Sequence, residues 1–153
     1  MQANPNKDLI REIIETSFNG GDFDRVPEWF TPDYVAHVPG VPGLPKGPEA
    51  FSLVVNMWRS AFDDLHMTIE DLLAEDDKVA NRFTTTGTHT GPLFGVPPTG
   101  RTMRVEGQEV HRITDGRVSE SWVCNDVPLI FQQLGITQNP PGVRGPDWLE
   151  RGA

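Results

Sequence analysis

The stretch RTMRVEGQEVHRITDGRVSESWVCN, residues 101–125, decides the fold. Apolar and polar residues alternate from Arg101 to Thr114, the period of a half-buried strand. Asp115-Gly116 is a strong hairpin signal, because the favoured two-residue turn needs positive φ at both central positions. Val118 to Asn125 is then the returning strand. With Thr114 paired to Arg117, residues Met103, Val105, Gly107, Glu109, His111 and Ile113 share a face with Val118, Glu120, Trp122, Cys124 and Asp126. His111 then stands opposite Glu120 as a buried acid–base pair, and Asp126 lies roughly 20 Å from His111 at the rise of a strand. A three-residue loop with a glycine bulge shifts the register by one and turns the second strand over, so that Glu109 faces Val123. The residues alone leave both registers open.

Upstream, Leu65, Met67 and Ile69 alternate with polar residues, Asp76-Asp77 marks a turn, and Val79 to Thr90 is a threonine-rich strand. Pro92 to Gly100 reads as a loop. The N-terminal third has helical spacing instead. Leu9, Ile10, Ile13, Ile14 and Phe18 predict one helix from about Pro5 to Phe18, stopped by Asn19-Gly20-Gly21. Asp22 is expected to cap a short helix carrying Val26, Trp29 and Phe30, closed by Thr31-Pro32. Tyr34 to Val38 reads as a short strand and Pro39 to Pro48 as a loop. Pro48 then opens a helix with Phe51, Val54, Val55, Trp58 and Phe62 on its apolar stripe. Beyond the hairpin, Leu129 to Leu134 forms a last helix ended by Gly135. Helices first and strands after predict an α+β fold: a curved mixed or antiparallel sheet wrapped around helices, a cone with a deep apolar pocket. Residues 1–153 form a single domain in this reading, with a core at about 6–135 and a Pro/Gly-rich tail at 136–153.

The 153 residues carry a net charge of -9, which argues against a nucleic-acid partner. Mean hydropathy is -0.40, with no apolar run of about 18 residues, so no membrane span is expected. Without a signal-like N-terminus the expected setting is cytoplasmic. The lone Cys124 makes no internal disulfide and is expected to be a small buried residue. His37, His66, His89 and His111 lack metal-ligand spacing, and no glycine-rich turn joins a strand to a helix. Neither a metal nor a cofactor is expected.

Glu109 is the carboxyl on an otherwise apolar inward face. Burial should raise its pKa and suit it to acid–base work, unless it pairs with Arg82, Arg104 or Arg112. His111 is a candidate for the same site. Asp126 is either a proton-transfer group or the cap of the last helix. His37, beside the loop expected to rim the mouth, is a candidate substrate contact, with Trp58, Phe83, Trp122, Val123 and Met57 as candidate walls. His89 reads as a structural strand residue.

Several motifs occur in one uninterrupted order: Phe18-Asn19-Gly20-Gly21-Asp22-Phe23, Pro32-Asp33-Tyr34, Gly47-Pro48-Glu49-Ala50-Phe51, Gly87-Thr88-His89-Thr90-Gly91, Gly95-Val96-Pro97-Pro98-Thr99-Gly100-Arg101, Arg112-Ile113-Thr114-Asp115-Gly116-Arg117 and Gln133-Leu134-Gly135. Together they resemble the SnoaL-like polyketide cyclases, from about Leu9 to Gly135. The resemblance implies a nuclear-transport-factor-like cone, a homodimer or homotetramer, and intramolecular aldol ring closure without metal or cofactor. It implies a catalytic aspartate just after Trp122, where this chain has Val123, with a histidine close by. Glu109 takes the histidine's place when counted from the turn, and His111 when the Val-His pair is matched. Asp126 matches a second aspartate of the wider family. The register in which Glu109 faces Val123 is the one the resemblance favours. The expected function is a cofactor-independent cyclase or isomerase acting by general acid–base catalysis on a hydrophobic, carbonyl-bearing metabolite. The alternatives are a small-molecule-binding or assembly module, or an epoxide-opening, hydrating or pericyclic enzyme.

Overall fold

The computed structural model describes residues 3–137; the expected tail lies almost wholly outside them. Helix α1 (Pro5–Ile13) begins where the Asn4 side chain accepts hydrogen bonds from the backbone N–H groups of Asn6 and Lys7. It does not run to Phe18 as a regular α-helix. Ile14–Asn19 continues it with the wider π-helical turn. That end is anchored twice: Asn19 exchanges two hydrogen bonds with the backbone of Met67, and Arg59 donates to the carbonyls of Phe18 and Asn19. Carbonyls left free at a helix terminus thus gain partners.

Helix α2 is one turn, Val26–Trp29, preceded by Arg25. Asp22 does not cap it; its carboxylate accepts from the N–H of Asp24, too early in the chain to reach the helix. Strand β1 (Phe30–His37) follows at once and is longer than expected. Pro32 is tolerated because β1 is an edge strand and need not donate on both sides. Helix α3 (Pro48–Ala61) buries Ala50, Val55, Trp58 and Ala61.

The other strands are β2 (His66–Glu75), β3 (Lys78–Thr88), β4 (Thr102–Thr114) and β5 (Arg117–Asn125), before helix α4 (Val127–Leu134). Their order across the sheet is β1-β5-β4-β3-β2, with β1 parallel to β5 and the other pairs antiparallel. Register slips in β1, β2 and the β4–β5 pair help the sheet to curl. Its concave face and the helices enclose two apolar clusters, one around Ile10, Trp29 and Phe83, the other around Phe62, Leu93 and Ile130. Helix α4 closes one end. There β5 no longer flanks β4, and the Gln133 carboxamide takes its place, accepting from the N–H of Arg104 and donating to its carbonyl. Among the described residues no helix is long and apolar enough to cross a membrane.

The hairpin resolves the two registers in an unexpected way. Asp115 and Gly116 both have positive φ, and Thr114 pairs with Arg117, as a two-residue turn requires. One residue later the strand bulges at Ser119, so Val118 pairs with Ile113 but Glu120 pairs with Arg112. The Ser119 hydroxyl secures the bulge, donating to the Arg112 carbonyl and meeting the Thr114 hydroxyl. From there Ser121 faces His111 and Val123 faces Glu109. The expected His111–Glu120 pair does not form, because the bulge leaves those two residues in different cross-strand pairs.

Candidate active site

Sheet and helices surround a cavity of about 950 Å³ counted out to its open mouth. Ile10, Phe30, Val55, Trp58, Met67 and Phe83 are among its many apolar walls. Polar groups on its lining include Tyr34, Glu109, His111, Ser121 and Asn125. They converge because the inward faces of β1, β4 and β5 meet there.

Glu109 lies at the centre of this group. Asn81, its cross-strand neighbour on β3, donates from Nδ2 to Oε1 at 2.8 Å. His111 holds Nε2 at 3.2 Å from the same oxygen, and both side chains are about nine-tenths buried, at 12% and 11% exposure. The Nε2 approach is too poorly aligned for a good hydrogen bond, and the contact is an ion pair when the imidazole is protonated. On the other side of the ring, Nδ1 of His111 sits 2.7 Å from the Ser121 hydroxyl.

These neighbours reverse the expected titration of Glu109. Burial pushes its pKa up, but the positive charge of His111, the approach of its ring N–H and the Asn81 hydrogen bond outweigh that, and the net direction is down. Glu109 is therefore a carboxylate at neutral pH. Nor does it pair with an arginine: Arg82 bonds Asp71, while Arg112 bonds Glu120 and Asp77. Tyr34 moves the other way. Burial raises its phenol pKa well above the usual range; a Ser121 hydrogen bond offsets this in part, and the charge of Glu109 adds to it. The phenol stays protonated at neutral pH and can both donate and accept a hydrogen bond.

The family model for SnoaL-like polyketide cyclases matches residues 8–134. The chain belongs to this family. It is 33% identical over 139 residues to an aklanonic acid methyl ester cyclase of Streptomyces sp. (strain C5), covering 86% of this chain and 82% of that one. It is likewise 33% identical over 124 residues to the nogalonic acid methyl ester cyclase of Streptomyces nogalater, covering 78% and 90%. Among solved structures, the polyketide cyclase candidate IdmH from Streptomyces antibioticus superposes with a TM-score of 0.75 at 34% identity, covering 86% and 99%. The SnoaL-like cone is thus the architecture described above.

Within this SnoaL-like cone, Glu109, His111, Trp58, Phe83 and Val123 all line the cavity. Four expected site residues lie elsewhere. Trp122 is on the outer face of the sheet, because the bulge assigns the inner face to Ser121 and Val123. His37 is stacked on it at 5.6 Å, half exposed, with Nε2 2.9 Å from Glu120. Arg112 covers Trp122 as well, at 5.3 Å. Asp126 caps α4, its carboxylate accepting from the N–H of Leu129 at 3.0 Å. Met57 packs against the second apolar cluster and not on the cavity wall. Cys124 is exposed, since it shares the outward parity of Trp122.

Sequence reading missed Tyr34, Asn81, Ser121 and Asn125. Asn81 carried a usable signal, a polar residue between the inward-facing Val79 and Phe83. Ser121 and Asn125 carried none, because their face depends on the bulge.

Proposed function

We propose that this protein closes a ring in a polyketide-type ester by intramolecular aldol addition, with Glu109 as the base. The observation that carries the reading is a buried carboxylate, kept ionised by Asn81 and His111, at the polar end of an apolar cavity. The relatives named above as methyl ester cyclases support the substrate class. Glu109 takes a proton from the carbon next to a carbonyl, and the C–H electron pair becomes an enolate. The enolate carbon bonds to a second carbonyl carbon, whose π pair moves onto its oxygen. That alkoxide recovers the proton from Glu109. The product is an isomer of the substrate, so neither oxidant nor reductant is required, and the reading includes no cofactor. His111 balances the charge on Glu109, and Ser121 fixes the imidazole ring. Val123 supplies an apolar wall opposite the base, which keeps water from competing for it.

The test is turnover of aklanonic acid methyl ester and nogalonic acid methyl ester by the wild type and by Glu109→Gln. The amide is nearly isosteric, so the fold should persist while kcat falls by roughly 10²–10⁴. Turnover of neither ester by the wild type overturns the reading. Val123 favours a second reading, closure by shape selection with the proton carried by solvent and not by Glu109, and unchanged kcat in Glu109→Gln would support it.

A further inference from the structure

Asn125 is the last residue of β5 and lines the cavity, yet its carboxamide makes no hydrogen bond among the described residues. Its Oδ1 is fully buried without a partner, a state that costs free energy unless something compensates. The oxygen is tucked into a recess left by Gly107, its cross-strand partner. A Cβ on Gly107 would lie 2.5 Å from the Phe83 ring and 2.6 Å from Asn125 Oδ1. With Oδ1 shut against the sheet, the free N–H groups of Nδ2 are the end able to meet a ligand. The backbone beneath is held on both sides, by the β4 pairing and by Asp126, which caps the next helix.

We propose that Asn125 is the oxyanion donor of the reaction, hydrogen-bonding the carbonyl oxygen that becomes the alkoxide. The assignment rests on the aldol reading above. Spacing supports it: Asn125 sits one cross-strand step from the Glu109–Val123 pair, roughly 7 Å along the sheet. A base and an oxyanion donor that far apart can flank one substrate, the base at the acidic carbon and the donor at the carbonyl under attack. Asn125 is neutral and already in place, so it stabilises charge that develops only during reaction. Gly107 acts as a positioning residue through the recess it leaves.

The experiment compares Asn125→Leu, Asn125→Asp, Gly107→Ala and Glu109→Gln on the two methyl esters, with melting temperature recorded for each. Both Asn125 variants should lose kcat by about 10²–10³. Their dissociation constants for the esters should change less than about threefold, because a transition-state donor contributes little to the ground state. Gly107→Ala should lose kcat in the same direction, and combining it with Asn125→Leu should add little, since both act through one carboxamide. Asn125→Leu and Asn125→Asp that both keep kcat within threefold, while Glu109→Gln loses it, overturn this assignment and leave the aldol reading standing. A loss confined to ester binding also overturns it, because Asn125 would then hold only the ground state. Failure of the wild type to turn over either ester removes the assignment and the aldol reading together.

Discussion

Asn81 and Glu109 face each other across β3 and β4, and the 2.8 Å hydrogen bond between them runs from a neutral amide to a buried carboxylate. Hydrogen bonds to a charged acceptor are stronger than neutral ones, and losing the donor leaves the charge under-solvated. Asn81→Ala should therefore destabilise the protein by about 1–3 kcal/mol. Urea denaturation at neutral pH checks this. The same variant should move the acid limb of activity upward, because one of the groups holding Glu109 ionised is gone. A stability loss with an unmoved acid limb would show that Asn81 only packs.

The lowered pKa of Glu109 gives stability a definite pH dependence. A carboxyl group whose folded pKa lies below its unfolded value favours the folded state above the unfolded pKa. That contribution disappears as pH falls through the folded pKa. The stability difference between wild type and Glu109→Gln should thus be largest above about pH 4.3, the ordinary glutamate value. It should shrink as the solution is acidified. Denaturant titrations between pH 3 and 7 read it directly, and a difference that grew on acidification would reverse the assigned ionisation.

Asp126 is a cap and lies off the cavity wall. A carboxamide oxygen at this position would accept the same backbone hydrogen bond, so Asp126→Asn should cost about 1 kcal/mol or less. Its kcat on a turned-over ester should stay within twofold of wild type. Abolished turnover at unchanged melting temperature would make Asp126 a proton-transfer group after all.

How far the sequence could be read is visible in the hairpin. The turn at Asp115-Gly116 and the pairing of Thr114 with Arg117 follow from local chemistry, since few residue pairs accept positive φ twice. The inward face of β4, from Met103 to Ile113, follows from alternation alone. The bulge does not, because a serine at position 119 is unremarkable until its hydroxyl finds Arg112. That one residue moved Trp122 outward and Ser121 inward. The direction of the Glu109 shift was also missed: its main source is His111, two residues along the same strand, with a smaller part from Asn81, 28 residues away in the chain. Helix positions transferred well because amphipathic spacing is local; the π-helical end of α1 did not, because the groups that anchor it, Met67 and Arg59, lie far along the chain.

Pairing across the sheet sets Leu73, Ala80, Val110, Trp122 and His37 in one row over the outer face. Leu73 is 68% exposed there. We propose that this row is the contact of the expected homodimer. Sedimentation at micromolar concentration should show a species of twice 17.0 kDa, and Val110→Lys should reduce it to the single chain. Only the 17.0 kDa species for the wild type would refute the dimer.

Gln133 continues the place of β5 over a single residue of β4. An uncovered strand segment is a template on which other chains can pair, and most proteins blunt such edges with charge, proline or a covering helix. Here one amide does so, held over Arg104 by the helix that carries it. The end of the cone is thus protected against edge-to-edge aggregation by a side chain with the hydrogen-bonding pattern of a peptide group. Loss of that amide would expose β4 to intermolecular pairing while leaving the cavity intact, which separates the solubility of this protein from its chemistry.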